Sequence, residues 1–470
     1  MSSDSSSNTI FVRNKFTEAP LGSLFAKTAL PVIFVMSMNG LLTVVDAMFL
    51  GVYVGTNALA AVTLMFPLYM LVIALTTLVS NGMSSLLARH LGANRINDAQ
   101  ALFAGAHGLA LFISLLFIAA FLTLGVEVTL ILAGNSAELA DLGYIYLRIV
   151  ALSTPLYFIL SLHTDALRNE GYAGLMAGMS LLVSLANIAF DYLLIVQLDM
   201  GVAGSAYGTV LAQALALAII IGFRIRGKTH LKPAVVWRNS LFAEWRAMLA
   251  LGAPQSLNFL GMALVSTAII TSLQLMAVPN YAETVTAYGI ITRITTFVFL
   301  PMMGLALSFQ TIIGNNYGAE LWHRSDKGLR IGLALAFIYC LVVEFVLITF
   351  TAPIGHLFTA DEKVVAEVAR IIPMAMAMYF ISGPILITSS YFQAIGDAAR
   401  AAILGLSKAY LFLLPMIFTL PLLLGERGIW LASPIAEVLL FATALLVLTK
   451  TAKSANRKWG LFVHTEEPRS

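Results

Sequence analysis

Charge is what this sequence has least of. Only 11% of its 470 residues are Asp, Glu, Lys or Arg, while 59% are apolar and the mean hydropathy is +0.89. Soluble domains carry about a quarter charged residues, so a soluble chain is excluded. A single cysteine, Cys340, excludes an internal disulfide. Alternation with period two is missing, which excludes a closed barrel. No Ser/His/Asp, Cys/His or metal-ligand spacing falls at a membrane face, so neither an enzyme nor a resident metal or cofactor is expected. The N-terminus, MSSDSSSNTIFVRNKFTEAP, lacks a short apolar core with a cleavage site and reads as a cytosolic tail. The net charge of +3 matters only through its distribution, and no nucleic-acid partner is expected.

What is present is a series of apolar runs long enough to cross a bilayer, at ~1.5 Å per residue. They fall near 24–50, 58–82, 101–124, 142–167, 175–197 and 202–223, then near 247–277, 283–313, 329–352, 368–394, 400–424 and 429–450. The expected fold is an all-α integral membrane protein of about twelve helices. Its parts are a cytoplasmic tail (1–23), a six-helix bundle (24–223), a basic cytoplasmic linker (224–246), a second bundle (247–450) and a cytoplasmic tail (451–470). Every second connection is basic: Arg13, Lys15 and Lys27; Arg89 and Arg95; Arg168; Arg224, Arg226, Lys228, Lys232, Arg238 and Arg246; Arg324, Lys327 and Arg330; Arg400; and Lys450, Lys453, Arg457 and Lys458. The alternate connections are neutral or acidic, so both termini are expected in the cytoplasm of a cell with this chain in its inner (plasma) membrane.

The chain also repeats itself at an offset of about 225 residues. RHLGANRINDAQ stands opposite NNYGAELWHRSD, LRNEGYAG opposite FQAIGDAA, and GVAGSAYGTVLAQ opposite GERGIWLASPIAE. An even number of spans per half means that both halves enter from the same side. Their pseudo-twofold axis then runs along the membrane normal, with substrate sites between the halves.

The repeat fails where the first half carries acid. Asn187 and Asp191 lie four residues apart, on one helix face, in LMAGMSLLVSLANIAFDYLLIVQ. Asp46 lies in LPVIFVMSMNGLLTVVDAMFLG, and the counterparts STAIITSL and AYLFLLPMIF hold no carboxylate. A buried acid costs roughly 2.5–3.5 kcal/mol on insertion scales, so it is normally turned inward and kept for an ion or proton. Counting from the external connections puts Asp46, Asp191 and Thr209 ~8–12 Å inside their helices. Asn187 lies one turn deeper, and Asn39 two turns below Asp46. Asp46, Asn187, Asp191, Thr209 and Asn39 are therefore the expected cation or proton site of a secondary transporter. The plain alternative ties each acid to a basic neighbour.

Other features are weaker. Pro31 and Pro254 occupy matching places in the first and seventh spans, as hinges or as plain kinks. Lys408 and Glu437 are placed to pair across the last two spans, Glu344 is a further intramembrane charge, and Arg293 is a candidate for a central cavity wall. Met374 and Met378 share a face of the tenth span, as an adaptable wall or as packing. His107 and His163 read as hydrogen-bonded helix residues. Residues 222–229, GFRIRGKT, fit the phosphate-loop pattern, but a transmembrane run replaces the strand that this chemistry needs. Nucleotide binding is rejected, and energy has to come from an ion gradient.

Taken in order, Pro31 with Asp46, then LRNEGYAG, NIAFDYLLI and GVAGSAYGTVLAQ resemble the multidrug and toxic compound extrusion (MATE) transporters, over residues 20–450. The resemblance implies two six-helix bundles in a V shape. It also implies export of small organic cations or amphiphiles against H⁺ or Na⁺ by a monomer in the lipid bilayer. Asp46, Asn187, Asp191 and Thr209 match the pattern of the DinF-like and archaeal branches. The NorM branch relies on acids in the seventh and tenth helices, which LGAPQSLNFLGMALVSTAIITSLQLMA and the buried part of PMAMAMYFISGPILITSSYFQA lack. The alternative within the superfamily is a flippase of lipid-linked head groups, for which Arg293 is the one hint of a cationic groove.

Overall fold

The computed structural model describes residues 14–463 apart from 228, 277, 279 and 456. Arg13, Lys228 and the outer parts of both tails lie outside the described residues. Among those described, ten continuous helices are long and apolar enough to cross a membrane, and two bent pairs bring the spans to twelve. The first half comprises α1 (Leu21–Val54), α2 (Phe66–Gly92), α3 (Ile96–Leu132), α4 (Ala137–Leu152 with Thr154–Asn169), α5 (Ala173–Gln197) and α6 (Gly201–Arg226). The second comprises α7 (Trp245–Leu275), α8 (Tyr281–Gly318), α9 (Trp322–Thr349), α10 (Glu362–Met376 with Tyr379–Ala394), α11 (Ala398–Leu424) and α12 (Arg427–Ser454).

Two local features depart from the sequence reading. The second span starts at Phe66 rather than near 58, because Gly55 (φ +119°) and Pro67 detach a short helix, Thr56–Leu64. Pro67 has no N–H to carry a continuous ladder across that point. Helices run unbroken through Pro31 and Pro254, and the sharp bends lie in α4 (50°) and α10 (48°). Pro155 opens the second piece of α4, whereas the first piece of α10 runs through Pro373 to Met376, with Met378 at φ +67° in the gap.

The repeat is visible in the backbone. Gly171 after α4 and Gly396 after α10 have φ of +87° and +89°, a region that a Cβ makes costly. The halves meet on the face that carries both described chain ends. There α2 lies against α7, with Gly82 on the Met248 carbonyl and Gly252 on the Leu78 carbonyl. Farther along, Gly92 sits on the Asn315 carbonyl and Gly318 on the Arg89 carbonyl, the same contact seen from each half. A Cβ at Gly92 or Gly318 would lie 2.0 or 2.2 Å from that oxygen. Polar bonds close the seam: Gln310 and Gln393 amides donate to Asn81 Oδ1 at 3.2 and 2.8 Å, and Arg168 Nε donates to Thr311 Oγ1 at 3.2 Å. In mid-span α1 rests on α8, with Ile33 at Gly304 and Leu300 at Gly40. One helix thus belongs both to the first bundle and to the boundary between the halves.

Candidate functional site

Three helices of the first half converge on one cluster. α1 brings Asp46, α5 brings Asn187 and Asp191, and α6 brings Thr209. Asn187 and Asp191 are fully buried, and Asp46 is half-buried. The two carboxyl groups are hydrogen-bond neighbours. With the Asn187 amide nitrogen donating to Asp46 Oδ1 at 2.7 Å, its oxygen accepts from Thr209 Oγ1 and the Thr209 backbone N–H at 3.1 and 3.2 Å. The opposite orientation keeps only a bond to Thr209 Oγ1 and turns the amide oxygen on the carboxylate. Only the first arrangement satisfies both ends of the amide.

Asp191 is in an unusual position. Both its oxygens are buried without a donor among the described residues. Two adjacent carboxylates without a donor repel each other, and a proton shared between such a pair relieves that repulsion and gives one oxygen of each a bond. Room for the carboxylate exists because residue 208 is glycine: a Cβ there would lie 2.0 Å from Asp191 Oδ1. The helix widens into π turns at Leu50–Val54, just beyond Asp46, and at Tyr192–Gln197, directly after Asp191. Such turns accumulate at functional sites. The Tyr69 and Tyr146 phenols lie within electrostatic range of Asp46. Neither acid has a basic partner among the described residues.

Asn39 is not part of this cluster. It is exposed and accepts a 3.5 Å bond from Ser180, two turns along α1 from Asp46. Sharing a helix face did not bring it to the same level, since seven residues cover about 10 Å.

In the second half, α7, α8, α10, α11 and α12 enclose a cavity of about 360 Å³. Pro254 lines it, as do Lys408 and Glu437, which form an ion pair. Met376 lines it, whereas Met374 and Met378 do not. The gap in α10 ends the helical register on which the shared face of those two methionines depended. Glu344 serves that gap, accepting the Met378 and Phe380 N–H groups at 3.1 and 2.8 Å. Arg293 lies outside this cavity, exposed on α8 along the stripe of Leu300 and Gly304 that faces α1.

His107 and His163 face each other, Nε2 to Nε2 at 3.3 Å, with His107 Nδ1 on the Phe103 carbonyl at 2.8 Å. Arg224, the first residue of the basic linker read from sequence, is fully buried and paired with Glu170 at 2.6 Å. Residues that sequence reasoning passed over include Gly208, Ser382 and Glu170. Only Gly208 carried a signal, as a glycine one residue before Thr209.

Comparison with known proteins completes the description. A sequence model of the MatE family matches residues 31–193 and 256–419. The chain is 25% identical to the multidrug export protein MepA of Staphylococcus aureus, over 92% of this chain and 94% of that protein. It is 24% identical to an FAD transporter of Shewanella oneidensis, over 91% of this chain and 94% of that one. Among solved structures, one titled the outward-facing conformation of a multidrug resistance MATE family transporter of the MOP superfamily superposes with a TM-score of 0.84. That superposition covers 95% of this chain and 99% of the other at 22% identity, a likeness of fold.

Proposed function

The chain belongs to the MatE family, a family of membrane transporters and not of enzymes, and from that premise we propose that it exports organic cations or amphiphiles in exchange for protons. The Staphylococcus relative, which the chain matches along nearly its whole length, is a multidrug export protein. The single observation that carries the coupling reading is Asp191, buried beside Asp46 with two oxygens that no described protein group satisfies.

A proton suits this place better than Na⁺. Two adjacent carboxyl groups share a proton readily, and the contact with Gly208 leaves little space beside Asp191. A metal cation would need several further oxygens. Half-buried Asp46 is the point of entry and Asp191 the inner partner. Protonation removes the charge cost, so α1, α5 and α6 are free to close on one another. α1 carries that movement to the second half through its contacts with α8. The proton drives the change only as far as it binds one state better; about 1.4 kcal/mol gives a tenfold shift. The closed seam on the terminus-bearing side corresponds to an outward-open state if the termini are cytoplasmic, as the basic connections indicate. We take the working unit to be a monomer in the inner membrane, of the DinF-like type.

The test is uptake of a fluorescent organic cation by proteoliposomes, first under a pH gradient and then under a Na⁺ gradient alone. Uptake is expected only in the first case. Equal uptake under Na⁺ alone refutes proton coupling, and no uptake in either refutes cation export. A lipid head-group flippase remains a second reading because Arg293 is exposed on the stripe facing α1; rescue of lipid-carrier accumulation but not of drug sensitivity would favour it.

A further inference from the structure

The cavity of the second half has its own polar station. Its volume of about 360 Å³ suits a small organic molecule, and most of the wall is apolar, including Tyr288, Ile291, Met376 and Trp430. Glu437 Oε1 accepts from both Lys408 Nζ and Ser382 Oγ. Its Oε2 has no partner among the described residues, although the residue is only 2% exposed. The Lys408 side chain is 32% exposed, and one of its three N–H donors is used. Glu437 and Lys408 therefore stand side by side in the wall of an apolar chamber, and a turn of the carboxylate, whose Oε2 is closed off in this conformation, presents its spare acceptor beside the spare donors of Lys408.

We propose that this chamber binds a zwitterionic amphiphile: its ammonium donates to Glu437 Oε2, its carboxylate accepts from Lys408 Nζ, and its apolar body lies against Tyr288 and Trp430. The charge balance selects this class. Lys408 and Glu437 already neutralise each other, so a lone cation competes with Lys408 for the carboxylate and leaves an excess charge in a poorly solvated space. A ligand of both signs completes a four-charge ring with no excess. The placement also repeats that of the first half. α11 and α12 are the counterparts of α5 and α6, and Lys408 lies in a π turn, Ser407–Leu413, as Asp191 borders one. The inference concerns equilibrium binding and stands whether or not Asp46 and Asp191 couple transport to protons.

Three fluorescent probes share one apolar body: Nε-dansyl-lysine is a zwitterion, dansylcadaverine a cation and 6-(dansylamino)hexanoate an anion. Titrated against the purified full-length protein, dansyl-lysine is expected to bind saturably with blue-shifted emission, about tenfold tighter than either single-charge probe. Ser433→Leu, which fills the cavity wall one turn from Glu437, is expected to abolish that binding. Lys408→Met/Glu437→Gln is expected to bind all three probes alike; should it fail to fold, the exchanged pair Lys408→Glu/Glu437→Lys is expected to keep the preference. Equal affinities on the unaltered protein, no saturable binding of dansyl-lysine, or a preference that survives Ser433→Leu would overturn the proposal.

Discussion

Asp191 occupies the space that a side chain on Gly208 would need: an ideal Cβ there falls 2.0 Å from Oδ1. The acid and the glycine belong to adjacent helices, α5 and α6. The buried carboxylate is therefore as much a property of residue 208 as of residue 191.

Gly208→Ala should displace the carboxylate from Asp46. We expect destabilisation of about 1–3 kcal/mol, as for other overpacked sites, and loss of gradient-driven export. Gly174→Ala, on α5 with nothing within 4 Å of its Cβ, should leave both unchanged. Thermal melting and vesicle uptake of the two variants decide the point, and native uptake by Gly208→Ala would count against the site.

Asp46→Asn and Asp191→Asn should each abolish gradient-driven export while the protein still folds and inserts. An amide at either position lacks the ionisable proton but retains a donor for its neighbour, so melting temperatures should not fall. Full transport by both variants in vesicles would dispose of the coupling site.

The seam between the halves should tolerate no added atom. Gly92→Ala and Gly318→Ala each drive a methyl into a carbonyl of the opposite half. Because the two contacts are equivalent, similar losses of about 1–3 kcal/mol are expected. Melting measurements that separate the two widely would show that the contacts are not equivalent.

Glu344→Ala should strip the acceptor from two N–H groups at the α10 gap and cost about 1–3 kcal/mol. Glu344→Gln keeps one acceptor oxygen and should cost less. Export per folded molecule should stay near native in both, which distinguishes a structural acid from a coupling acid.

Arg224→Met leaves Glu170 charged and unpaired in the interior, with an expected loss of about 3–5 kcal/mol. Replacing both residues by methionine removes the unpaired charge but also strips Glu170 from the His230 and Leu231 N–H groups and Arg224 from the Leu231 and His163 carbonyls, so only part of the loss should return. A double variant as unstable as the single one would mean that these backbone bonds, rather than the charge balance, hold the site together.

Much of the helical architecture could be read along the chain, because a bilayer demands long apolar helices. Asp46, Asn187, Asp191 and Thr209 were legible for the same reason: polar groups stand out in an apolar run, and each depth follows from counting residues. Asn39 shares the face of Asp46 and meets the same helix, α5, but two turns away at Ser180, so a common face was no guide to a common level. The methionine pair failed for a related reason, since no local signal announces the gap at Ala377 and Met378 that resets the register of α10. Arg224 counted only as one of the basic linker residues, because its partner Glu170 lies in the turn after α4, remote in sequence and beyond any spacing rule.

The order of residues alone thus determined the number of spans, the twofold repeat and which helices carry the acids, since all three depend on hydropathy and helical periodicity. Tertiary packing decided who faces whom: the nearness of Asp46 to Asp191, the glycine that admits the carboxylate, and the chamber around Lys408 and Glu437. Those arise from contacts between helices remote in sequence, where shape and a fraction of an ångström matter and periodicity carries no information.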